Sequence, residues 1–217
     1  MRVFVIGAAG GVGRRLSKLL TGQGDDVTGM HRGADQAEAV AASGARPLLG
    51  DLVHDTVDEL ALRFQWHDAV VFSAGAHGTG RDQTTLIDGK GLEKAAEAAG
   101  LAGVRRFLLV SVFPEAGRSR EPTEGFEHYM RVKKQADVLL SRSGLDWVIV
   151  RPGTLVDNAG EGRVTAGPAV SYGDTRRDDV AAFLAAVLHE PRLNRVIVEV
   201  TSGDEPVADA VRRLASG

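Results

Sequence analysis

The run Gly7-Ala8-Ala9-Gly10-Gly11-Val12-Gly13 has the types and spacing to hold a pyrophosphate. A G-x-x-G-x-x-G turn between a strand and a helix gives each glycine a task. Gly7 permits the tight turn, Gly10 and Gly11 let the backbone approach the phosphates, and Gly13 lets the helix pack closely on the strand. Ala9 and Val12 share that turn and its expected contact with a dinucleotide. The helix N-terminus adds free N–H groups and the positive end of a dipole. The second strand runs into Met30-His31-Arg32, where an NAD site would carry an acid to accept ribose hydroxyls and an NADP site an arginine for the extra phosphate. Arg32 therefore favours NADP over NAD; the alternative is an ordinary solvated loop arginine. After the third strand, Asp51 and Leu52 sit where an adenine would lie, with Asp51 either bonding the adenine amino group or capping the next helix. After the fourth, Ser73, Ala74 and Gly75 are small enough to admit the ribose close to the backbone.

Other chemistries are excluded or unsupported. Cysteine is absent, so there is no disulfide, thiolate metal site or cysteine nucleophile. The six histidines show no H-E-x-x-H or comparable spacing, and no metal is expected. Of these, His77 and His128 can line a pocket or lie on solvent-exposed loops. A formal net charge of −3 is not the footprint of a nucleic-acid binder. The apolar runs are too short for a signal peptide or membrane span, which predicts a cytoplasmic protein with a small-molecule substrate and an open oligomeric state.

The elements that must position these residues alternate along all 217 residues. Short β-branched runs predict strands at Arg2–Ile6, Val27–Met30, Pro47–Leu49, Ala69–Phe72, Phe107–Val110, Trp147–Val150 and Val196–Val200. Helix-period segments fall between them, among them Gly11–Leu20, Leu86–Ala99 with Gly100 as its stop, and a helix from about Gly125 to Ser141. This is the pattern of one doubly wound α/β domain of Rossmann type, with a mostly parallel sheet and helices on both faces. Past Pro152 the texture changes. Residues 153–177 are glycine-rich and polar, with a small hairpin suggested around Val164–Val170, and read as a mobile substrate lid in a minimal C-terminal substrate region.

The motifs together resemble the atypical short-chain dehydrogenase/reductases, in particular the small group labelled NAD(P)-dependent epimerases or NAD(P)H-binding proteins. The resemblance rests on G-A-A-G-G-V-G at 7–13, G-D-L at 50–52, S-A-G at 73–75, D-G-K-G at 88–91 and V-R-R-F-L-L-V-S at 104–111. It continues in Y-M-R-V-K at 129–133, V-R-P-G at 150–153 and R-D-D-V-A at 177–181. It implies a catalytic pair. Tyr129 would pass a proton to or from a substrate oxygen, while Lys133 holds the coenzyme ribose and lowers the phenol's pKa from its usual ~10. Four-residue helical spacing allows both side chains to share a face. The same resemblance places Ser111 as a substrate-polarising hydroxyl, or as a group serving the coenzyme or the strand end. Asp88 would take part in a proton relay or pack the helix. Pro152 and Gly153 would border the nicotinamide, with Pro152 forbidding continuation of its strand. An NADP-dependent oxidoreductase or epimerase-like enzyme is the leading reading. A coenzyme-sensing regulator and an NADPH-dependent flavin or quinone reductase are the alternatives.

Overall fold

The computed structural model describes residues 1–76, 78–117 and 121–217; His77 lies outside them. The chain forms strands β1 (Arg2–Ile6), β2 (Asp26–His31), β3 (Arg46–Leu49), β4 (Ala69–Phe72), β5 (Arg106–Val110), β6 (Asp146–Pro152), β7 (Thr154–Val156), β8 (Arg163–Gly167), β9 (Asp174–Arg176), β10 (Val196–Ser202) and β11 (Glu205–Pro206). The helices are α1 (Gly11–Gly22), α2 (Ala37–Ala41), α3 (Val57–Phe64), α4 (Arg81–Thr84), α5 (Leu92–Leu101), α6 (Glu124–Ser141), α7 (Arg177–Leu188) and α8 (Val207–Leu214). The main sheet has the order β11-β8-β10-β6-β5-β4-β1-β2-β3. From β3 across to β10 every neighbouring pair is parallel, while β8 runs antiparallel to β10 and to β11.

Strand β1 shows why this sequence makes a sheet buried on both faces. Its residues alternate in direction with the strand period of two. Val3 and Val5 join a core with Leu16 and Leu20 of α1 and Phe183 and Leu184 of α7. Phe4 and Ile6 point the other way, into a core with Leu60 and Phe64 of α3 and Leu92 of α5. Because β1 lies between β2 and β4, chain order reverses at this strand. The crevice that such a reversal opens at the carboxyl ends of the strands is where open α/β sheets bind ligands.

Three expectations are corrected. The helix read as Leu86–Ala99 starts earlier and ends later: α4 and α5 are joined by a π-helical segment, Thr85–Gly91. Gly100 lies inside α5, and the chain turns instead at Gly103, whose φ is +73°. Pro152 is the last residue of β6 but does not break the ladder with β10. Its register with Val200 and the Gly153 N–H to Val200 carbonyl bond (3.0 Å) carry β6 on along β10. The proline nitrogen faces the other side, where pairing with β5 has stopped at Val150, so its missing N–H removes no ladder bond. Finally, residues 153–177 are not one open loop. β7 and β9 pair in parallel, and in place of the hairpin a single strand, β8, joins the main sheet with Val164 and Ala166 buried.

Candidate active site

The turn after β1 is built as its glycines require. Gly7 has φ +82°, and a Cβ there would lie 2.7–2.9 Å from the backbone of Ser73 and Ala74. A Cβ on Gly13 would stand 2.3 Å from the Gly7 carbonyl oxygen. The Gly10 N–H closes the turn on that same oxygen at 3.0 Å. Gly10 is the N-cap of α1 and brings no side chain to occupy the first N–H groups, and no acidic residue sits in the first turn. The helix end is thus left to an anion. Gly7→Ala should combine left-handed backbone strain with a backbone clash and lower unfolding stability by about 2 kcal/mol. Denaturant midpoints will measure this, and an unchanged midpoint would show that the β4 loop yields freely.

One arm of the crevice, a cavity of about 390 Å³, is lined by Ala9, Arg32, Gln36, Asp51 and Leu52 among others. Arg32 is exposed, and its backbone N–H bonds Gln36 Oε1 at 3.2 Å. Among the described residues nothing bonds its guanidinium. Asp51 lines the cavity but does not cap the next helix: Thr56 is the N-cap of α3, and Asp51 Oδ1 accepts the Val53 N–H at 2.8 Å in the turn before it.

The other arm, about 570 Å³, is lined by Val12, Asp88, Ser111, Tyr129, Lys133 and Leu155 among others. Gly10, Ser73, Ala74, Gly75 and Ala76 line both arms, so the two form one crevice. A wider groove of about 620 Å³, lined by Glu97, Arg105 and Leu145, opens at the opposite ends of the strands and brings no comparable set together.

Helix α6 positions the polar groups. Thr123 Oγ1 accepts the Phe126 N–H at its start, and Tyr129, Lys133 and Asp137 then follow one another at four-residue steps along one face. Lys133 is buried, 3% exposed, and donates to the Val110 carbonyl at 3.1 Å while lying 3.5 Å from Asp88 Oδ1. Asp88, on the π-helical segment, also accepts the Ala76 N–H at 3.0 Å, tying the β4 loop to the lysine. The resemblance implies that Lys133 lowers the pKa of Tyr129. In the structure burial pushes the phenol's pKa well up, and the carboxylates of Asp88 and Asp137 add to this.

Ser111 donates to Asp137 Oδ1 at 2.5 Å, and Arg151 Nε bonds Asp137 Oδ2 at 2.9 Å. Burial raises the pKa of Asp137, against the lowering effect of Ser111 and Arg151. Sequence reading missed Asp137, although the Tyr-Lys-Asp steps of four were visible, and took Arg151 only as part of V-R-P-G at the nicotinamide, not as the partner of Asp137. Tyr129, Lys133, Asp88 and Ser111 meet in one arm; Pro152 and Gly153 line neither. Pro152 is buried in the sheet, and the Gly153 N–H is taken by Val200 and by Thr175 Oγ1 at 2.9 Å. His128 is half-buried and bonds Thr85 Oγ1 at 2.8 Å, outside the crevice. Among the described residues no helix is long and apolar enough to cross a membrane, and no group of three or more metal-ligating side chains converges.

Comparison with known proteins agrees with this geometry. The model of a family described as NAD(P)H-binding matches residues 7–191. The chain is 38% identical over 216 residues to an uncharacterized sugar epimerase of Bacillus subtilis, covering 99% of this chain and 100% of that protein. Among solved structures it is similar to a Bacillus halodurans protein provisionally named an NAD-dependent epimerase/dehydratase, with TM-score 0.89, 35% identity and coverage of 98% and 99% of the two chains. An anaerobillin reductase of Escherichia coli O157:H7 superposes with TM-score 0.78 at 26% identity, over 94% of this chain and 98% of that one.

Proposed function

Because the chain belongs to the NAD(P)H-binding family, within the short-chain dehydrogenase/reductase and epimerase/dehydratase enzymes, we propose that it is an NADP-dependent oxidoreductase or epimerase-like enzyme acting on a small carbonyl or hydroxyl compound. The observation that carries this reading is the convergence of Tyr129, Lys133 and Asp88 on a cavity continuous with the glycine turn. The crevice fits a dinucleotide: its glycines leave no room for a Cβ, its helix end is uncapped by any side chain, and Arg32 stands free at the other arm.

Bound there, the coenzyme supplies or accepts a hydride. Gly7 to Gly13 would hold the diphosphate, Arg32 the ribose phosphate, and Lys133 the ribose beside the nicotinamide. Tyr129 gives its proton to the substrate oxygen during reduction. Its raised pKa keeps the phenol protonated throughout the neutral range, the form a general acid needs. Lys133 holds Asp88 and, through it, the β4 loop in register with the substrate arm. Ser111, with its hydrogen committed to Asp137, offers lone pairs into the cavity and so serves orientation better than polarisation of a carbonyl. Leu155 brings the segment after Pro152 to the substrate arm, which is the part of the expected lid that this reading keeps.

The test is NADPH oxidation by purified protein against a panel of small carbonyls, quinones and flavins, repeated across pH. The sign follows from the phenol. Carbonyl reduction needs protonated Tyr129, so its kcat should stay flat from about pH 6 to 9. The reverse alcohol oxidation needs the phenolate and should climb with pH across the same range. Reduction that falls steeply towards pH 9 would remove Tyr129 as the donor, and no turnover across the panel would leave the coenzyme-sensing alternative in place.

A further inference from the structure

We propose that Arg177 is a direct ligand of the coenzyme's diphosphate, and that Asp157 competes with the diphosphate for it; the inference rests on the crevice being a dinucleotide site.

Arg177 is the first residue of α7, the helix packed beside α1. Its side chain crosses the glycine turn at close range. A Cβ on Gly11 would lie 2.8 Å from Arg177 Cδ and 2.9 Å from Nε, whereas the other three turn glycines, Gly7, Gly10 and Gly13, abut backbone. Gly11 therefore makes room for a guanidinium at the N-terminus of α1. Arg177 lines the same arm of the crevice as Gly10, Gly11 and Val12.

Charge balance points to the same residue. A diphosphate brings two negative charges, and a helix N-terminus offers only about half a positive one. The glycine turn adds no side chain. Among the described residues three cations line this arm: Arg81, Lys133 and Arg177. Lys133 is held by buried Asp88, and Arg81, in an exposed pair with Glu124 at 3.2 Å, is not among the nearest neighbours of any glycine of the turn. Arg177 lies over the turn itself, and among the described residues its ion pair is with Asp157 Oδ2 at 3.0 Å. The Asp157 side chain is 72% exposed, so that pair is screened and readily exchanged. Arg15 shares Asp157, at 3.4 Å, but is also anchored to the Gly11 carbonyl at 2.9 Å and to Asp178 at 2.9 Å, and it is not among the residues lining the crevice. An arginine fork suits a diphosphate because two N–H groups can meet two oxygens at once.

Calorimetric titration with NADPH and with NADH, and competition by inorganic pyrophosphate, will test this without any turnover. Arg177→Met should weaken both coenzymes by the same factor, about tenfold, as loss of a charge-assisted contact does. Pyrophosphate should displace NADPH less well from this variant than from wild type. Asp157→Asn removes the competitor at an exposed position where folding is not at stake, and should tighten both coenzymes by up to about fivefold. Arg177→Met with unchanged affinities overturns the proposal, as does a loss confined to NADPH, which would move Arg177 to the ribose phosphate. Asp157→Asn that fails to tighten binding overturns the competition. If wild type binds neither coenzyme, the dinucleotide reading itself has failed, and the two failures are distinct.

Discussion

Tyr129→Phe should slow carbonyl reduction by about 10²–10⁴-fold, the usual scale of general acid–base catalysis, with coenzyme affinity nearly unchanged. The substitution removes one oxygen from a side chain that lines the substrate arm and leaves the ring and its packing near Phe126, 6.3 Å between centroids, in place. It also removes a proton that burial and two carboxylates hold firmly on the phenol through neutral pH. Lys133→Met should behave differently. It takes a positive charge from between Asp88 and the Val110 carbonyl, leaving a buried carboxylate without its cation. Coenzyme affinity, turnover and thermal stability should then all fall together. Steady-state kinetics beside coenzyme titrations separate the two variants. If Tyr129→Phe reduces its substrate as fast as wild type, the tyrosine is helix packing, and flavin or quinone reduction, which needs no protein proton donor, becomes the better reading.

What the sequence made legible follows from how local each signal is. β1 and β4 are read with the bounds the structure gives because an apolar strand buried on both faces is a contiguous run. The glycine turn is equally local: strand, glycines and helix are consecutive, and the clashes at Gly7 and Gly13 explain its spacing. The substrate arm is half legible. Tyr129 and Lys133 share a helix face by spacing alone, but their electrostatic environment comes from Asp88, 41 and 45 positions earlier in the chain. Nothing in the local sequence says that this aspartate neutralises the lysine. Asp88 faces Lys133 from a π-helical segment whose wider turn departs from the 3.6-residue period on which helix reading depends. β8 was legible only as part of a local hairpin around Val164–Val170. It pairs with β10 and β11, which arrive later in the chain, and its glycine- and polar-rich flanks read as loop without those partners.

Arg32→Ala should lower NADPH affinity by about ten- to a hundredfold and change NADH affinity little. A charge-assisted hydrogen bond contributes roughly 1.5–3 kcal/mol, and each 1.4 kcal/mol is tenfold in binding. The geometry supports a full share of that effect. Arg32 follows the last residue of β2 at the mouth of the adenosine arm, it is exposed, and among the described residues no carboxylate holds its guanidinium. Its N–H bond to Gln36 fixes the backbone while leaving the side chain available. No acidic side chain lies at the same strand end to favour an NAD ribose: Asp25, at the other end, is bound to the Met1 amino group and His189. The neighbouring Asp35 makes no ion pair with Arg32. Removing the guanidinium therefore removes a phosphate partner without freeing a buried charge, so NADH serves as an internal control for folding and for the rest of the crevice. Set beside Arg177→Met, the pair of variants separates two phosphates by one measurement. A loss restricted to NADPH at position 32 and shared by both coenzymes at position 177 would assign each arginine to its own phosphate. Equal loss of NADPH and NADH in Arg32→Ala would show that this residue does not read the ribose phosphate and that the preference for NADP has no basis at the end of β2.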